Sequence, residues 1–304
     1  MELRSETKTK PISSQSVTEI KTYPEYIKKQ ILEEATKIGL LHKENIENEN
    51  KDSKNSLRTE NKEINESAKK RLEELERLIG FGPHGMICSV SNFNSEYTQN
   101  SLLYSIALEG IGKNQQAAEV LENTIKNVGF GDHGMICRGP NNNSEYTQNS
   151  LLYSIALERI GKIQEANDVI ENTIKNVGFG PHGMILDNPN YNLEDTQNSL
   201  LYSIALEGIG KNQQAAEVLE NTIKNVGFGD HGMIFRGPKY SLLYSIALER
   251  IGKIQEANGV IENTVKNLRF GSYEMIGKYS YDNSLEYIYN TLLLVIAESI
   301  IEKK

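Results

Sequence analysis

The 304-residue chain contains no tryptophan, two cysteines and no apolar run near the roughly 20 residues that a membrane-spanning helix needs. Basic residues are in the minority. Lys and Arg number 33 against 41 Asp and Glu, a formal net charge of −8, which disfavours an electrostatic grip on nucleic acid or anionic lipid. The segment Met1 to Thr18 is polar and lacks the apolar centre of a secretory signal or anchor. Cys88 and Cys137 hold equivalent places in successive repeats, so a disulfide would need packed neighbours to come closer than their usual spacing. Reduced thiols and a cytoplasmic location are expected. Also missing are a phosphate-binding loop leading from a strand, a nucleophile elbow and a paired-cysteine motif. No cofactor is expected.

What the chain has in abundance is itself. Thr98 to Ile136 recurs letter for letter at Thr196 to Ile234, a shift of 98 positions. Within that shift lies a period of 49, marked by Phe-Gly at Phe81, Phe130, Phe179 and Phe228, with a worn copy at Phe270. A period of this size means stacked supersecondary units. Residues 1–22 carry no pattern, residues 23–41 read as a helix with a stripe of Ile27, Ile31, Leu32, Ala35 and Ile38, and residues 42–66 read as a disordered polar linker. Residues 67–304 form the repeat domain. Its first full copy pairs a nearly all-apolar helix from Glu96 to Ile111 with an amphipathic helix from Asn114 to Val128. The expected fold class is all-α: tandem helical hairpins of period 49, arranged as an α/α toroid or an open α-solenoid.

Between hairpins runs a loop of about fifteen residues beginning Gly-Phe-Gly-x-His-Gly-Met-Ile, longer than helical proteins usually need. It brings His84, His133, His182 and His231 to one position in four copies. A shared zinc ion is not expected, because neighbouring copies hold equivalent nitrogens too far apart. A histidine bonded within its own turn is the simpler reading. Glu96, Glu145 and Glu194 head successive inner helices, with Asp195 an extra acid in the third copy. These are the catalytic candidates, since glycoside hydrolysis needs paired carboxylates, although an acid near a helix N-terminus is also favoured by the dipole. Tyr97 and Tyr146, Gln99, Gln148 and Gln197, and Asn100, Asn149 and Asn198 would present aromatic and amide groups suited to sugars or peptides. In the fourth copy Pro238-Lys239-Tyr240-Ser241 replaces that stretch.

The turn Gly112-Lys113 leading to Gln116-Ala117-Ala118 resembles a tetratricopeptide hairpin, apart from the longer period. The run Tyr97-Thr98-Gln99-Asn100-Ser101-Leu102-Leu103-Tyr104 is similar to the start of inner helices in α/α-toroid proteins of the six-hairpin glycosidase type. That resemblance implies a central pocket edged by the loops after the outer helices. Helix counting favours such a ring: inner-type helices start near Glu96, Glu145, Glu194, Tyr240 and Glu286, and residues 25–41 would supply a sixth. Near-identical copies favour a non-catalytic helical-repeat binding protein, each copy adding a similar increment of surface for a peptide or oligosaccharide. The alternative is a carbohydrate-active enzyme, or an inactive relic of one.

Overall fold

A helix that is apolar around most of its circumference must be covered on several sides, and one with a single apolar stripe can lie outside it. In the computed structural model this difference separates two layers. The structure describes residues 66–77, 79–89, 92–140, 142–188, 191–228, 234, 237–267, 269–270, 276–277 and 285–300, all within the unit Asn61–Lys304. The helix expected at residues 25–41 and the linker before residue 66 lie outside the described residues.

The inner layer comprises α2 (Thr98–Gly110), α4 (Thr147–Arg159), α6 (Thr196–Gly208), α8 (Pro238–Arg250) and α10 (Leu285–Ile300). The outer layer comprises α1 (residues 66–77), α3 (Asn114–Val128), α5 (Ile163–Val177), α7 (Asn212–Val226) and α9 (Ile254–Asn267). In α2 every residue except Gln99 is buried, whereas α3 buries only Ala117, Leu121 and Thr124. The Leu-Leu pair of each inner helix (Leu102-Leu103, Leu151-Leu152, Leu200-Leu201, Leu242-Leu243, Leu292-Leu293) is no more than 1% exposed. At about 1.5–3 kcal/mol per fully buried side chain, this repeated pair is a large favourable term.

Each inner helix packs on the next, and the last packs on the first: α10 lies against α2 as closely as α2 lies against α4. The fold is therefore a closed α/α toroid and not an open solenoid. Closure is reached with five inner helices among the described residues, one fewer than expected, because α10 meets α2 directly. Gly110 of α2 faces Ser299 of α10 without room for a side chain. Helix α1 covers that seam from outside. Arg71 pairs with Glu298 of α10 at 3.3 Å, while Glu76 accepts from Tyr104 of α2 at 2.8 Å.

Glu109, Glu158, Glu207 and Glu249 end four inner helices at one repeat position, and Arg159 and Arg250 follow in alternate copies. Arg250 bridges Glu158 at 2.8 Å and Glu207 at 3.0 Å, and Arg159 reaches Glu109 at 3.2 Å. This buried ionic network closes the end of the ring opposite the inner-helix N-termini.

Burial drives the Glu298 carboxyl up to about 7, more than the Arg71 guanidinium can offset. A raised carboxyl pKa means the folded state holds a proton that the unfolded chain has released. This group therefore costs stability as pH rises from about 4.5 to about 7. Glu298→Gln should melt higher than the natural chain at pH 8, with the gain shrinking toward pH 5.5. Equal melting temperatures at pH 8 would remove this reading.

Candidate functional site

The loops are not structureless. Among the described residues four of them form small antiparallel hairpins: β1 (Cys88–Ser89) with β2 (Asn92–Glu96), β3 (Cys137–Gly139) with β4 (Asn142–Glu145), β5 (Leu186–Asn188) with β6 (Tyr191–Glu194), and β7 (Arg269–Phe270) with β8 (Ile276–Gly277). Cys88 and Cys137 are buried at the start of two of them and form no disulfide.

In the first three hairpins the glutamate ends the second strand and turns back into its own loop. Glu96 Oε1 accepts from the backbone N–H of His84 at 3.0 Å and of Met86 at 3.2 Å, and Oε2 bonds His84 Nδ1 at 2.5 Å. Glu145 does the same with His133 and Met135, and Glu194 with His182 and Met184. Burial alone would raise the Glu194 carboxyl, but the hydrogen bonds from His182 and Met184 outweigh it and hold the group below the usual carboxylate range. Gly82 allows this arrangement, since a Cβ there would sit 2.5 Å from Glu96 Cγ. The His84 ring was expected to bond backbone within its own glycine-rich turn; its partner is instead the carboxylate of the glutamate twelve positions on. His231 lies outside the described residues.

The next outer helix holds each loop from the other side. Asn123 and Asn127 of α3 donate to the His84 carbonyl, Asn172 and Asn176 of α5 to that of His133, and Asn225 of α7 to that of His182. An Asn-x-x-x-Asn step near the end of these outer helices is the sequence signal for this clasp. Gly85 sits inside it at φ +71°, where a Cβ would lie 2.6 Å from Asn123 Nδ2. Gly85→Ala should cost at least about 1–2 kcal/mol, from the left-handed backbone alone. By contrast, Gly259→Ala, with open space around it in α9, should gain about 0.4–1 kcal/mol. Thermal melts that rank the two variants the other way would refute the clasp.

The inner-helix N-termini converge on a cavity of about 310 Å³. Its lining contains the second residue of all five inner helices when they are aligned on their apolar runs: Gln99, Gln148, Gln197, Lys239 and, counting back from Thr291-Leu292-Leu293, Tyr289. Tyr97 and Asn100 complete it. Gln99 donates to Gln148 Oε1 at 2.6 Å, Gln148 to the Tyr289 hydroxyl at 3.0 Å, and Gln197 to the same hydroxyl at 2.6 Å. Burial pushes the Tyr289 phenol far above its ordinary range, against the opposing hydrogen bond from Gln197 and with a lesser upward push from the charge of Asp195. The phenol therefore keeps its proton. Lys239 lies over the Tyr240 ring, 4.8 Å from its centroid.

Of the residues singled out from the sequence, Tyr97, Gln99, Asn100, Gln148 and Gln197 meet in this cavity. The rest are placed elsewhere. Asn149 donates to the Cys137 carbonyl and Asn198 to that of Leu186, Tyr146 lies beneath Arg138, and the histidines and glutamates sit in the loops. Asp195 caps α6, accepting from the Asn198 N–H at 2.7 Å, and its charge adds to the upward push on the Tyr289 phenol. Lys239 and Tyr289 were hidden in the two degenerate copies. Among the described residues no group of three or more His, Cys, Asp or Glu could hold a metal, and no helix is long and apolar enough to cross a membrane.

A scan of protein-family models finds no match, and neither does a search of curated proteins. Solved structures do match. The GH76 α-mannanase of Bacteroides thetaiotaomicron superposes with a TM-score of 0.52 at 10% identity, over 81% of this chain and 84% of that one. An inactive α-1,6-mannanase variant of Salegentibacter in complex with α-1,6-mannotriose gives 0.43 at 15% identity, over 70% and 78%. Cellobiose 2-epimerase of Bacillus thermoamylovorans gives 0.41 at 10% identity over 57% of this chain, which spans only 61% of that enzyme. The fold is that of the α/α toroid found in six-hairpin glycosidase-like enzymes. This corrects the expectation of a non-catalytic binding array. The fold is shared with an α-mannanase, and the copies converge on one asymmetric pocket instead of offering equal increments of surface.

Proposed function

We propose that this chain is a carbohydrate-active enzyme whose substrate enters the axial pocket at the inner-helix N-termini. The observation that carries the proposal is the convergence of the same helix position from all five copies on one cavity, where two diverged copies turn three equivalent glutamines into an asymmetric set with Lys239 and Tyr289. Amides and a phenol fixed by one another suit a ligand rich in hydroxyl groups, and the cavity size suits a small-molecule site. The α-mannanase fold supports the same class of ligand.

In this proposal Asp195 is the general acid or base. It differs from Glu96, Glu145 and Glu194 in that its charge acts on the Tyr289 phenol, while theirs are loop carboxylates holding His84, His133 and His182. Tyr289 positions the substrate. Two buried cysteines without a disulfide suit a reducing compartment such as the cytoplasm.

The test is turnover of a panel of manno-, gluco- and galacto-configured oligosaccharides, neutral and acidic, followed by chromatography for cleavage or isomerisation. A product from any of them, lost when Asp195→Asn or Tyr289→Phe is used, is the expected result. Binding without product from every member of the panel would contradict catalysis, and neither binding nor product would contradict the carbohydrate reading.

A further inference from the structure

The axial pocket holds two buried donors that no described acceptor takes up, and an ammonium with no described counter-charge. A phenol has one proton to give and two lone pairs. Both lone pairs of Tyr289 are engaged by Gln148 and Gln197, so its proton is left to point elsewhere, in a side chain only 7% exposed. Asn100, 3% exposed, has a buried Nδ2 that meets no acceptor within the fold, although it lines the same cavity. A buried donor left without an acceptor is costly, which makes a ligand oxygen the natural partner. Lys239 adds an ammonium with three more donors, and no described carboxylate lies within ion-pair distance of it.

Among the described residues no carboxylate lines the cavity. Asp195, whose charge raises the Tyr289 phenol, accepts from the Asn198 N–H. The lining amides keep acceptor oxygens as well as donors, and the formal charge of the described lining is the Lys239 ammonium. A neutral sugar can pair with the amides but leaves that ammonium without a counter-charge. An oxyanion brings acceptors only.

Resting on the carbohydrate reading above, we infer that the axial pocket selects an acidic sugar, with its carboxylate or sulfate group held by Lys239 Nζ, Asn100 Nδ2 and the Tyr289 hydroxyl. Lys239 is the specificity-determining residue. It stands where three other copies carry glutamine, so the fourth copy's divergence placed a cation in a ring of amides. Lys239→Gln returns the position to the residue of those copies and should fold normally.

Isothermal titration of the full chain, at low and high salt, would compare uronic-acid oligosaccharides, sulfated oligosaccharides and neutral ones of the same length. The acidic ligands should bind about tenfold or more tightly at low salt, as a charge-assisted hydrogen bond implies. Lys239→Gln should reduce that preference, read as the ratio of acidic to neutral affinity within each variant, to about threefold or less. Preference for the carboxylated or for the sulfated series identifies which oxyanion is bound. Neutral sugars binding as tightly as acidic ones, or a preference that survives Lys239→Gln, would overturn the inference while leaving the carbohydrate reading intact. Failure of all three series to bind would overturn that reading itself.

Discussion

Asp195→Asn should lower kcat on an oligosaccharide substrate by at least about a hundredfold, the usual range for loss of a general acid or base being about 10²–10⁴. The fold should survive. Asp195 caps α6 by accepting from the Asn198 N–H, and asparagine is an equally good N-cap. The loss should therefore appear in kcat with the melting temperature nearly unchanged. Glu194→Gln should behave in the opposite way. Its carboxylate holds His182 and Met184 in the neighbouring loop, so the variant should loosen that loop and lower stability more than turnover per folded molecule. If Asp195→Asn retains turnover within threefold while Glu194→Gln abolishes it at full stability, the roles assigned here are reversed.

Arg250→Met should cost about 3–5 kcal/mol, the range seen when one partner of a buried ion pair is removed. Arg250 is 8% exposed and serves two carboxylates on two other inner helices, Glu158 and Glu207, so its loss leaves both facing a desolvated interior. For a unit of this size the melting temperature should fall by roughly 10 °C. Neutralising the partners as well, in Arg250→Met with Glu158→Gln and Glu207→Gln, should recover a good part of the loss, because the penalty lies in the stranded charges. A single variant melting within 2 °C of the natural chain, or a triple variant no better than the single, would show that this network does not hold the ring closed.

The hairpins were legible because they are local. An all-round apolar helix, a glycine turn and an amphipathic helix can each be recognised within fifteen residues of sequence. Ring closure was less legible, since it depends on α10 meeting α2 across most of the repeat domain, and the number of hairpins per turn follows from packing angles that no single copy encodes. Five inner helices complete the circle where six were expected. The small strands were missed because they are short and rich in Asn and Ser, residues of low strand propensity, as in Asn142–Glu145, and the glutamate that ends each of the first three hairpins is bonded back into its own loop.

At the site, the repeated residues were the easier half. Gln99, Gln148 and Gln197 announce themselves by repetition, but repetition also pointed to Glu96 and His84, which serve the loop. The groups that make the pocket asymmetric, Lys239 and Tyr289, sit where the pattern breaks. The signal was present, in that the Leu-Leu runs of α8 and α10 place both residues at the glutamine position. It becomes a site only once the ring brings five copies of that position to one axis.

The most direct test of a sugar site on the ring axis is a crystal structure of the chain grown with a saturating acidic oligosaccharide. A sugar ring should lie in the axial cavity, with ligand oxygens within hydrogen-bond distance of the Tyr289 hydroxyl and Asn100 Nδ2 and its anionic group beside Lys239. A sugar bound only at the outer hairpin loops, with the axial cavity unoccupied, would contradict it.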